Sequence, residues 1–172
     1  MSHLLSIRNA HPDEALELAA IGYLAWEKSI LPLQLEQPGL RQGEQRRIAH
    51  HVQQSLPTII VADLQGEPVG WCSRSAGRAY IPYLFVTPHR QGHGIGAALL
   101  CRMESVLELE GRDRVLLETP ADHVRAVRFY ERQGYHILAV KAESRQGASP
   151  LNSVRLEKRL QPFRGSVPDI DD

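Results

Sequence analysis

Between residues 80 and 100 the chain reads YIPYLFVTPHRQGHGIGAALL, and no other stretch limits the fold as tightly. Tyr83, Leu84, Phe85 and Val86 are aromatic and branched, the composition of a strand. Pro88 ends that strand, because proline has no N–H to give to a ladder. Pro82 marks an irregularity inside it, since proline is confined to edges and bulges. Gly92, Gly94 and Gly96 let the main chain turn tightly and approach another object closely. From Ile95 onward Ala97, Ala98, Leu99 and Leu100 are strong helix formers. The result is strand, glycine turn, helix. The first amides of such a helix lack partners and carry the positive end of its dipole. A helix start with glycines at its mouth is a cradle for a phosphate or pyrophosphate, and Arg90 and His93 stand beside it as cations.

The flanking pattern predicts a mixed α/β fold. Residues 4–8 form a short strand, and His11-Pro12-Asp13-Glu14 opens a helix, with proline and acids in the first turn. Ala15, Leu18, Ala19, Gly22 and Trp26 follow at helical spacing, with Trp26 in the core. Residues 30–39, with Pro32, Pro38 and Gly39, form a loop or broken helix. Residues 40–55 form a polar helix with Ile48 and Val52 as its apolar points, and its His50 and His51 read as surface residues. Residues 57–62 and 68–73 pair as a hairpin, and the central strand extends them into an antiparallel meander. The helix from Ile95 stops at Gly111, and residues 114–119 form the next strand. That strand–helix–strand unit is a crossover, so its two strands run parallel. A helix over 121–133, a strand over 135–140, a polar loop over 141–150 and a strand over 151–160 complete the domain. The acidic tail over 161–172 is expected to be poorly ordered.

The length of 172 residues suits one domain, here 1–160, with a real core. Twenty basic and twenty acidic side chains cancel, which gives no reason to expect a nucleic-acid partner. Two cysteines, Cys72 and Cys101, make neither a disulfide framework nor a zinc spacing, and fit a reducing cytoplasm. No apolar run is long enough to span a bilayer, and residues 1–14 have no signal-peptide pattern. No membrane and no metal are therefore expected.

Two motifs resemble those of the GNAT (Gcn5-related) N-acetyltransferases. Gln91-Gly92-His93-Gly94-Ile95-Gly96 matches the family's signature of Gln or Arg, two residues, Gly, one residue, Gly or Ala, and Leu84 to Pro88 is similar to the strand that leads into it. Ala126-Val127-Arg128-Phe129-Tyr130-Glu131-Arg132-Gln133-Gly134-Tyr135 is similar to the second signature. The resemblance implies a mostly antiparallel mixed sheet flanked by helices, whose central parallel pair splays where acetyl-CoA enters. Its pyrophosphate would rest on the amides of Gln91, Gly92, His93, Gly94, Ile95, Gly96 and Ala97. Its pantetheine arm would run along Leu84, Phe85 and Val86 like an added strand. Where the family often has an Asn that touches pantetheine, this chain has His123, a cofactor contact or an acid/base group.

The implied reaction moves an acetyl group from acetyl-CoA to a primary amine, on a small molecule or a peptide, by direct attack in a ternary complex. It needs a neutral amine, donors for the developing oxyanion and a proton for the leaving thiolate. A backbone N–H near Phe85 or Val86 would serve the oxyanion. Tyr130 falls at the family's general-acid position and also at a cofactor contact. Glu118, near a strand end, is the candidate base, with Tyr80 and Tyr83 weaker ones; Phe129 reads as core. Residues 30–55 and 141–150 should build the acceptor site. The resemblance also admits a homodimer. Two other readings compete. Gly92-His93-Gly94-Ile95-Gly96-Ala97, with Glu118 some 20 residues on, also fits a dinucleotide fingerprint. In that fold, however, the strand runs almost straight into the first glycine, whereas residues 87–91 intervene here. The His123 departure leaves open the second, an acyl-CoA-binding module without catalysis.

Overall fold

The computed structural model describes residues 4–142 and 152–162. Two four-stranded sheets meet at the centre of the chain. The first has the order β1-β2-β3-β5, from β1 (Leu5–Asn9), β2 (Ile59–Leu64), β3 (Glu67–Ser73) and β5 (Tyr83–Val86), all antiparallel. The second has the order β4-β6-β8-β7, from β4 (Tyr80–Ile81), β6 (Arg114–Pro120), β7 (His136–Ala142) and β8 (Asn152–Arg159). Its parallel pair is β4 with β6, in register Tyr80 to Leu116 and Ile81 to Leu117. The expected single mixed sheet is thus divided at Pro82. Before Pro82 the central strand pairs with β6, and after it with β3. The far edge of β5 has no strand beside it among the described residues.

The helices sort to two faces. On one face of the first sheet lie α1 (Ala15–Ser29) and α2 (Leu40–Ser55), packed through Leu18, Ile21, Trp26, Ile48 and Val52 onto Ile59, Val61, Trp71 and Phe85. The Trp71 indole N–H donates to the carbonyl of Leu18 at 2.7 Å, which satisfies a donor sealed from water and fixes the ring. Gly22 sits at the tightest point. An added Cβ there would come within 2.9 Å of Ile48 Cγ2 and 3.0 Å of Trp71 Cζ2. On the other face, α3 (Ile95–Leu109) spans both sheets. Its Leu99, Leu100, Met103 and Leu107 are buried with Ile60, Ala62, Val115, Leu117 and Leu156. The alternation of Val115, Leu117 and Thr119 along β6 is that of a strand covered on one side. The last helix, α4 (Val124–Arg132), lies past the end of β6.

Several boundaries moved for local reasons. The first helix begins at Ala15 rather than near Pro12, because Glu14 closes a turn first. Its carboxylate accepts from the His11 amide at 2.7 Å and from Arg8, which also holds Asp63 of β2. Pro57 belongs to a short 3₁₀ turn, so β2 starts at Ile59. Likewise α4 starts at Val124 rather than at 121, with His123 as its N-cap. The predicted loop beyond Ala142 and the tail beyond 162 lie outside the described residues. Among the described residues no helix is long and apolar enough to cross a membrane.

Candidate active site

A cleft of about 1000 Å³ runs from the start of α3, past the open edge of β5, to the space under α2. Its first end is the glycine turn. Gly92 and Gly94 have φ of 78° and 80°, which glycine adopts without strain. Gly94 is the N-cap of α3 and supplies no side chain to it. The amides of residues 92–97 have no hydrogen-bond partner among the described residues, so several donors converge unpaired at a helix start. Arg90 lines the same end. So does Arg125, whose Nη2 would stand 3.7 Å from a Cβ added at Gly92. Sequence reading missed Arg125; its place in the first turn after the His123 cap was the available signal.

Most of the predicted cofactor residues meet in this cleft: Leu84, Phe85, Val86, Gln91, Gly92, Gly94, Gly96, Ala97, His123 and Tyr130 line it. Two do not. Ile95 is a core residue, 5% exposed. His93 is exposed and its Nδ1 is bonded to the carbonyls of Arg90 and Gln91, so its ring braces its own turn. Gln91 is also partly structural: its Nε2 donates to the Val86 carbonyl at 3.0 Å and ties the turn to the end of β5.

His123 and Tyr130 stand across from β5. The His123 backbone caps α4, while its imidazole makes no hydrogen bond among the described residues. Burial, and then the Arg125 charge, hold its pKa below the ordinary value, so the ring is neutral at pH 7. Phe129 and Tyr135 flank the Tyr130 ring at 5.1 and 5.7 Å, and its hydroxyl has no partner among the described residues. Burial raises the Tyr130 pKa well above the ordinary 10, so this phenol keeps its proton throughout the working range. Phe129, read as core, is only half-buried and backs Gly96.

At the other end, Gln34, Leu35, Glu44, Arg47 and His51, all within residues 30–55, line the cleft, and Trp26 joins them. Trp26 is 3% exposed, a core residue that also forms wall. Glu118 lines the cleft but is heavily engaged. Arg155 reaches it at 2.5 and 2.7 Å and Lys141 at 3.4 Å. Ser153, on β8 beside Pro120, has a buried Oγ without a partner among the described residues and lines the wall. His51 reads from the sequence as a surface residue, yet it is half-buried and its Nε2 is 2.9 Å from Ser73 Oγ. A signal was present: His51 follows the buried Ile48 by three residues and the buried Glu44 by seven, which puts all three on one helix face.

A strand split at a proline, an open strand edge and a bare helix start lie together at the mouth of one cleft. The comparisons give the class. The model of the "Acetyltransferase (GNAT) family" matches residues 22–135, and the chain belongs to that family. Among curated proteins, mycothiol acetyltransferase from Clavibacter sepedonicus is 31% identical over 90 residues, which is 51% of this chain and 30% of that protein. The chain thus matches less than a third of that relative's length. Among solved structures, apo YjaB from Escherichia coli aligns with a TM-score of 0.73 and 21% identity, over 90% of this chain and 97% of that one. PaiA N-acetyltransferase from Thermoplasma acidophilum, solved in complex with coenzyme A, aligns with a TM-score of 0.72 and 14% identity, over 91% and 99%. At such identities the structures speak for the fold, which is the one the two signatures imply.

Proposed function

We propose that this chain transfers an acetyl group from acetyl-CoA to a primary amine, both bound at once in the cleft. The observation that carries the reading is the row of unpaired amides at residues 92–97, opening onto the free edge of β5 with Tyr130 opposite. These residues fit the donor. A diphosphate satisfies amides that nothing in the described protein satisfies, and Arg90 and Arg125 add charge beside it. The edge of β5 offers main-chain groups to an amide-bearing arm. When bound, the thioester supplies a carbonyl carbon open to attack and a sulfur leaving group.

The residues then divide the work. A backbone N–H of Phe85 or Val86 steadies the oxygen that gains charge. His123 donates to the arm, in the place where the family often has Asn. Tyr130 donates its O–H toward the sulfur. Its raised pKa makes complete transfer to a free thiolate uphill, since a thiol titrates near ~8.5. Its proton must therefore move in step with the breaking C–S bond, and be replaced from water. Glu118 lines the acceptor end as a fixed negative charge, suited to draw in a cationic amine.

Two measurements test the reading: calorimetric titration with coenzyme A, and thiol release from acetyl-CoA against a panel of small amines and peptides. Binding with turnover of at least one amine is expected. Absence of CoA binding would overturn the reading, and tight binding with no turnover would turn it into a binding module. Binding of NAD(H) without CoA would favour the dinucleotide alternative.

A further inference from the structure

An amine that attacks must shed a proton, and Glu118 is poorly placed to take it. Its Oε1 is already taken by Arg155 at 2.5 and 2.7 Å and by Lys141 at 3.4 Å, so that oxygen is turned to cations rather than to an incoming amine. Among the described residues, His51 offers the better arrangement. It projects from α2 into the acceptor end of the same cleft. Its ring is fixed on three sides: Nε2 against Ser73 Oγ at 2.9 Å, its edge toward Tyr83 at 4.7 Å between centroids, and Trp71 stacked at 6.3 Å. Nδ1 has no protein partner among the described residues.

Ser73 is the informative neighbour. It is fully buried on β3, so it cannot serve as a nucleophile. A hydroxyl both donates and accepts. With Ser73 accepting from Nε2–H, the lone pair of the imidazole sits on Nδ1. A third group that orients a base in this way is the general logic of catalytic pairs. Building on the acetyltransferase reading, we infer that His51 receives the proton from the acceptor amine, with Ser73 as its positioning residue.

The proton count balances. As the amine lone pair closes the C–N bond, the C–S electron pair leaves with sulfur. The proton shed by nitrogen goes to His51 Nδ1 and on to water; sulfur takes one from Tyr130, which is refilled from water. For a neutral amine the net result is one proton moved from nitrogen to sulfur; an amine that arrives as a cation first gives one further proton to water.

The surroundings keep the ring neutral. On α2 its titratable neighbour is His50, and Arg47 one turn back is engaged by Glu44 at 2.7 Å. β3 presents Ser73 and β5 presents Tyr83, while Glu118 and Tyr80 line the same cleft. Burial, and then His50, lower the His51 pKa from its ordinary 6.5, so the free base dominates at pH 7.

The test has two arms. The first needs no acceptor. ¹⁵N NMR of the imidazoles, assigned with His51→Gln, should show His51 neutral, protonated on Nε2, with a midpoint below 6.5. An Nδ1–H tautomer, or titration above pH 7, would overturn the inference. The second arm uses any amine found by thiol release. His51→Ala should lower kcat about 10²-fold with CoA affinity unchanged. Added imidazole should restore part of the rate, which a structural defect would not allow, and Ser73→Ala should move the acid limb without abolishing it. Unchanged kcat and pH profile in His51→Ala would refute the role while leaving the acetyltransferase reading intact. Wild-type protein that binds no CoA would instead refute that reading, with the NMR arm still deciding the state of His51.

Discussion

Adding one methyl group at Gly22 tests how α1 is seated on the sheet. Propensity alone favours the change: alanine in a helix interior gains about 1 kcal/mol over glycine. Packing opposes it. The new Cβ would lie 2.9 Å from Ile48 Cγ2, 3.0 Å from Trp71 Cζ2 and 3.2 Å from Phe85 Cδ2. Ile48 and Trp71 are both 0% exposed, so neither has open space to move into. Trp71 is further tied by its N–H to the Leu18 carbonyl. Overpacking a closed core costs about 1–3 kcal/mol, and such immobile neighbours place Gly22 in the upper part of that range. The net loss is about 1–2 kcal/mol, or a Tm lower by about 3–6 °C for a chain of this size. Gly43 is the control. It lies in α2 with nothing within 4 Å of its added Cβ, so Gly43→Ala should gain about 0.5–1 kcal/mol. The assay is thermal unfolding by circular dichroism, with tryptophan fluorescence to follow Trp71. If both variants are stabilised alike, the close seating of α1 on Trp71 is wrong.

Tyr130→Phe should lower kcat about 10²-fold while calorimetry finds CoA affinity unchanged; equal turnover would remove Tyr130 from the proton path. Gly94→Ala puts a side chain at φ 80°, a strain of about 1–2 kcal/mol, at the mouth of the cleft. Its CoA affinity should fall about tenfold in the same titration. Arg8, and then the His11 amide, hold the Glu14 carboxyl below its ordinary 4.5. A carboxyl lowered on folding stabilises fully above pH 4.5 and loses that contribution as pH falls through its folded value. Urea unfolding of Glu14→Gln should therefore show lower stability at pH 7 and a flatter decline below pH 4.5 than the parent; parallel curves would contradict this.

The parts legible in the sequence are those whose cause is local. Pro82 and Pro88 bound the central strand, Gly92 and Gly94 take up left-handed turns, and residues 59–73 fold on themselves as a hairpin. The parallel pair was legible because a strand–helix–strand crossover returns its second strand in the direction of the first, although the part that pairs is Tyr80–Ile81, before Pro82. What stayed hidden depends on residues far apart in the chain. Ser73 lies 22 positions from His51, and Arg155 lies 37 from Glu118; no spacing rule links either pair. Local composition shows α2 as polar, and only the face shared with Ile48 separates His51 from its exposed neighbour His50. The helix start at Ala15 was misplaced for the same kind of reason. Arg8 and Asp63, one before and one long after it, settle how Glu14 is used.

The change of partner at Pro82 leaves a seam down the middle of the molecule. The shortest crossing of it is at Pro82, between Ile81 and Tyr83, and α3 bridges it from below. A guest whose own amides fill the seam would join two separate ladders into one continuous surface. Grip on that guest and stiffness of the host are then two views of a single coupling, so each departure of spent carrier would loosen the scaffold that its successor must tighten.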